Sequence, residues 1–133
     1  MTQEEKQLLL KDLCARLPYG VICQIYDHQK DYGEDIFDAR LIHIDAWTSH
    51  CYFWGCSETD PYKIGQVKPY LRSMSSMTEE EIKEYGKLCI IYDTSGTVLF
   101  DINGLNWFNA HHLDYRGLIE KGLAIEALEG MYN

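Results

Sequence analysis

Apolar side chains recur at three- and four-residue steps near the start of the chain, at Leu9, Leu10, Leu13, Cys14 and Leu17. Lys6, Lys11, Asp12 and Arg16 fall mainly between them, so the segment reads as an amphipathic helix with Asp12 and Arg16 as an i,i+4 pair on its polar side. Thr2 and Glu5 have the spacing of a capping box, in which each side chain satisfies the other residue's free backbone N–H. Pro18-Tyr19-Gly20 then stops the helix.

The period next shortens to two. Val21 to Tyr26, Ile36 to Ala46 and His50 to Gly55 read as strands, joined by the polar loop from Asp27 to Asp35 and by short turns. Tyr62 to Val67 is weaker, and the prolines at 61 and 69 point to an edge strand. Thr78 and Glu81 repeat the capping box, and Met77 and Ile82 stand where a hydrophobic staple would close over it. A hairpin is predicted from Leu88–Tyr92 and Thr97–Asp101 around Asp93-Thr94-Ser95-Gly96. A helix is expected over Asn103–His112, then a short one capped by Asp114 and running through Leu118 and Ile119. Leu123–Leu128 closes the described pattern as a strand or extended arm.

Strands joined without intervening helices, followed by helices, define an α+β chain. The expected architecture is an N-terminal helix, a small antiparallel β meander or barrel-like sheet, then a helix, a β-hairpin and C-terminal helices. With 133 residues the chain fits one domain, 1–133, divisible near Ser73–Ser76 into 1–76 and 77–133.

Charge narrows the partners. Twelve basic against twenty-one acidic residues give a net charge of −9, spread over both parts of the chain, with no basic arm or stripe. A polyanion is repelled by such a field, so nucleic acid is not the expected partner. No apolar run approaches a membrane span, Glu4 and Glu5 stand where an export signal carries cations, and the five cysteines lack a Cys-x-x-Cys pair. The expectation is a cytoplasmic protein with reduced, mostly buried thiols.

Each familiar chemical pattern is incomplete. His50, Cys51 and Cys56 are close in sequence, and His43 and Asp45 share a strand face, but no second ligand pair completes a zinc tetrahedron. His111 and His112 are adjacent, so on a helix they point about 100° apart and do not address one atom together. Asp31, Glu34, Asp35 and Asp38 lack the calcium-loop spacing, and glycine-rich phosphate loops and nucleophile elbows do not occur. No cofactor, no metal and no catalytic residue is expected from these patterns.

Three longer phrases carry a resemblance. They are Lys11-Asp12-Leu13-Cys14-Ala15-Arg16-Leu17-Pro18-Tyr19-Gly20-Val21, the stretch from Val67-Lys68-Pro69-Tyr70-Leu71-Arg72 to Glu81, and Trp107-Phe108-Asn109-Ala110-His111-His112-Leu113-Asp114-Tyr115-Arg116-Gly117 with its continuation to Ala124. Together they resemble an abundant family of small uncharacterised proteins from gut Bacteroidetes, often found near phage-like or mobile elements; Ser73 stands where that family's pattern suggests proline. The resemblance implies a bacterial accessory protein and transfers no catalytic residue.

The function expected from the sequence is a non-enzymatic protein–protein interaction protein with an unidentified protein partner. Tyr62, Tyr70, Arg72, Trp107, His111, His112, Tyr115 and Arg116 are its candidate binding residues. The rivals are a nucleic-acid-associated regulator on a winged helix or small barrel, an acidic nucleic-acid mimic, and a small enzyme with a pocket built from separate segments.

Overall fold

In the computed structural model the described residues are 1–29, 33–56, 61–88 and 102–132. The predicted hairpin of 88–101 lies outside them, Leu88 apart. The α+β class is as expected: α-helices combine with one five-stranded sheet.

Helix α1 spans Gln3–Arg16 and carries the capping box, Glu5 N–H donating to Thr2 Oγ1 and Thr2 N–H to Glu5 Oε2, both at 3.1 Å. It runs into a 3-10 turn at Leu17–Tyr19 and is turned off by Gly20 in the left-handed region at φ 70°. The strands are β1 (Ile22–Gln29), β2 (Gly33–Ile44), β3 (Cys51–Phe53), β4 (Val67–Leu71) and β5 (Ile125–Glu126), in the order β3-β2-β1-β4-β5. The first four pair antiparallel, whereas β5 joins β4 in parallel. Of the two expected forms the antiparallel meander is present, in β1, β2 and β3, and β5 makes the whole an open mixed sheet rather than a barrel.

The predicted edge strand Tyr62–Val67 is corrected. Tyr62 makes only an isolated bridge to Cys51, and Ile64–Gln66 is a 3-10 turn. The real strand is β4, which lies inside the sheet despite Pro69. It tolerates that proline because β5 reaches only Tyr70 and Leu71, leaving the ladder beside Pro69 unoccupied on that side.

One face of the sheet forms the core. Val21, Cys23, Ile25, Leu41, Phe53, Val67 and Leu71 pack there against Leu9 and Leu13 of α1, and against Leu118, Leu123 and Ala124 from the far end of the chain. A second cluster of Trp107, Phe108 and Leu113 joins Tyr85 of α2 (Glu79–Leu88) to α3 (Ile102–Ala110). Tyr85 stacks on Phe108 at 4.4 Å between ring centroids, and Phe108 on Tyr115 at 5.6 Å.

The short helix expected after Asp114 is a chain of turns. Asp114 still caps, accepting from the N–H groups of Leu118 (2.8 Å) and Ile119 (3.0 Å). Gly117 at φ 72° breaks the helical path between cap and donors.

Candidate functional site

The eight expected binding residues divide between three polar networks. In the first, Asp12 and Arg16 pair as predicted, at 2.8 Å, but on the buried side of α1: both are 0% exposed. Placing them on a solvated face is therefore corrected. Arg116 Nη1 donates to the second Asp12 oxygen at 2.7 Å, and Arg16 Nη2 donates to the Leu113 carbonyl at 2.7 Å. Both guanidiniums lie over the Tyr115 ring, at 5.4 Å and 4.6 Å, and Tyr115 donates its hydroxyl to Asn109. Tyr115 and Arg116 are thus committed to holding the tail on α1.

The second network centres on Arg72, whose guanidinium grips Glu81 in a two-point pair at 2.7 and 2.8 Å. That contact, with the Thr78 N–H bond to the same carboxylate, holds the Glu81 carboxyl down to about 2. Arg72 also forms a backbone bridge, donating N–H to the His112 carbonyl and accepting from Asp114 N–H. His111 stacks on Trp107 at 3.9 Å and its Nδ1 lies 3.0 Å from the Trp107 carbonyl. His112 adopts φ 58° and stacks on Tyr132 at 3.6 Å. Burial, then the charges of Arg16, His111 and Arg72, lower its pKa to about 4, so the ring is neutral near pH 7. Arg72, His111 and His112 border a cleft of about 790 Å³ whose far wall is the segment from Glu126 to Tyr132. Tyr132 pins that segment, its hydroxyl donating to the Tyr70 carbonyl at 2.7 Å and accepting from Ile22 N–H at 3.0 Å.

The third network lies on the sheet. Tyr70 donates to Asp38 at 2.8 Å and accepts from Gln24, while Tyr62 donates to Asp27 at 3.1 Å. Tyr70 is 5% exposed and Trp107 7%, so neither indole nor phenol offers a contact surface. All eight expected binding residues make contacts within the fold.

The exposed aromatics are elsewhere. Trp47 is 96% exposed and Trp54 75%, and they bracket β3. Trp47 is carried on an ordered turn: Asp45 Oδ1 accepts from the N–H groups of Trp47 (2.8 Å) and Thr48 (3.2 Å), and Asp45 N–H closes the loop onto the His50 carbonyl. These two bonds also lower the Asp45 pKa.

Trp54 belongs to the outer face of the sheet. Its N–H donates to the Arg40 carbonyl, and Arg40 pairs in turn with Ile22 of β1. Along β2 the odd positions Phe37, Ala39 and Leu41 turn to the core, and the even positions Ile36, Asp38, Arg40 and Ile42 are exposed. Tyr26 pairs with Ile36 on the same outer side. The surface thus carries Tyr26, Ile36, Ile42 and Trp54, together with Arg40 and Lys68.

The sequence held a signal for this face: β2 has apolar side chains in both of its alternating sets, whereas a strand with one solvated face alternates cleanly. Among the described residues no three His, Cys, Asp or Glu side chains gather as a metal site, and no helix is long and apolar enough to cross a membrane. Comparison of the chain with models of known protein families, with curated proteins and with solved structures gives no match.

Proposed function

We propose that this chain is a non-enzymatic protein-interaction module and that it meets its partner with the aromatic outer face of its sheet. The observation that carries this reading is the exposure of Trp47 (96%) and Trp54 (75%) on ordered backbone. An indole offers upward of ~150 Å² of surface, on the order of 4 kcal/mol of burial at about 25 cal/mol per Å². Tryptophan is enriched among the few residues that dominate binding energy at protein interfaces. Ile36, Ile42 and Tyr26 share the outer face with Trp54, making it a broader surface than a lone exposed ring, and Trp47 stands exposed on the turn between β2 and β3.

The test is capture of interacting protein from a native lysate by the intact chain and by the W47A/W54A variant. Recovery by the first and loss by the second supports the module. Equal recovery by both, or recovery by neither, overturns it.

A further inference from the structure

Resting on that reading, the charge pattern of the outer face points to the chemistry of the partner. The chain is strongly acidic at −9, yet among the described side chains of this face two cations stand beside one carboxylate. Its described charged side chains are Asp38, Arg40 and Lys68, and Asp38 is already engaged by the Tyr70 hydroxyl at 2.8 Å. Arg40 and Lys68 have no carboxylate within ion-pair distance among the described residues, where the pairs are Arg16 and Arg116 with Asp12, and Arg72 with Glu81.

Arg40 also borders a hollow of about 450 Å³ formed with Pro18, Gly20, Ile22 and Tyr132. Its side chain leans over Gly20, where an added Cβ would stand 3.5 Å from Nε. Arg40 lies between Ile22 across on β1 and Trp54, whose N–H donates to the Arg40 carbonyl, and the exposed Ile42 follows two positions along β2.

We propose that the outer face docks a protein segment in which acidic residues are interspersed with large apolar ones. A carboxylate of that segment enters the hollow and takes a two-point hydrogen bond from the Arg40 guanidinium. A second carboxylate meets Lys68, and the neighbouring apolar side chains cover Trp54 and Ile42. Arginine suits this role because its planar fork matches a carboxylate.

Charge disfavours the other occupants. A second copy would bring another chain of net charge −9 to a face where, among the described residues, only two cations stand free of ion pairs. A nucleic acid carries a charge at every phosphate, far more than two cations neutralise on a chain of net charge −9, whereas two carboxylates of a peptide segment are matched by them.

The experiment is selection of the intact chain against a random-sequence peptide library, with affinities of the enriched peptides measured against wild type, Arg40→Gln, Lys68→Gln and Trp54→Ala, and with a single-stranded oligonucleotide as a parallel probe. The expected result is enrichment of Asp or Glu next to Leu, Ile, Phe or Trp. About tenfold weaker binding is expected for Arg40→Gln and for Trp54→Ala, and severalfold for Lys68→Gln. Enrichment of neutral or basic peptides, affinity unchanged in Arg40→Gln, binding of the oligonucleotide alone, or no enrichment each overturns the inference. Binding that needs Trp54 but ignores Arg40 and Lys68 removes the acidic partner and leaves the interaction module standing; binding indifferent to all three removes both.

Discussion

Arg116 Nη1 donates to Asp12 Oδ1 at 2.7 Å across 104 residues of chain, closing the tail of the protein onto its first helix. Asp12 is fully buried and accepts from Arg16 as well, so one carboxylate balances two guanidiniums. Removing it leaves Arg16 buried with an unpaired charge. Asp12→Ala is expected to destabilise the fold by about 3–5 kcal/mol. Arg116→Ala should cost less, because Arg116 is 18% exposed and water can replace part of what is lost. Urea unfolding of the two variants beside wild type measures the difference.

Acid should weaken the fold in two steps. His112 has a folded-state pKa of about 4 against an ordinary value of 6.5, so between those limits the unfolded chain binds the proton more readily. Its contribution is complete above about pH 6.5 and is lost as pH falls through about 4. Glu81, held at about 2 against 4.5, repeats the pattern lower down, its stabilisation fading between those values. Each step adds a slope of at most about 1.4 kcal/mol per pH unit. His112→Phe should remove the upper step and keep the lower, read from chemical unfolding midpoints at a series of pH values.

The two exposed tryptophans should matter little to folding. Trp47→Ala and Trp54→Ala are each expected to move stability by no more than about 0.5 kcal/mol, since neither ring fills core volume. A loss of about 3 kcal/mol, as for a buried aromatic, would mean that the rings serve the fold.

Thiol reactivity should follow burial. Cys14 is exposed on α1, whereas Cys23 and Cys51 are fully buried in the core. Burial also raises the pKa of Cys51 to about 12 and that of Cys23 well above its ordinary value. Native-state alkylation followed by peptide mapping should mark Cys14 readily and leave Cys23 and Cys51 intact until the protein is unfolded.

The parts of the fold that were legible in the sequence are those fixed by neighbours. Both capping boxes sit where Thr2–Glu5 and Thr78–Glu81 place them, because the bonds span three residues. The strands β1, β2 and β3 follow the two-residue alternation to within a few residues. Features set by distant partners were not legible. Asp12 looks solvated until Arg116 and the Leu113 carbonyl are brought to it. Pro69 looks like a strand breaker until the short reach of β5 is known. Asp114 kept its capping bonds while Gly117 diverted the helix expected behind it. The contacts of the candidate binding residues were hidden for a related reason: aromatics and arginines in the long recognisable phrases are knitted together as Arg72–Glu81, Trp107–His111 and Arg116–Asp12. Trp47 and Trp54 were passed over because sequence alone does not tell an outward indole from a core one.

The interaction face is tested most directly by site-specific photo-crosslinking in the cells that produce the protein. A photoreactive phenylalanine analogue is placed at position 47, at position 54, or at the exposed control position Lys121 on the tail turns. A discrete cross-linked product from positions 47 and 54, and none from 121, is the expected result. Cross-links from 121 alone, or no product from 47 and 54, would contradict an aromatic docking face.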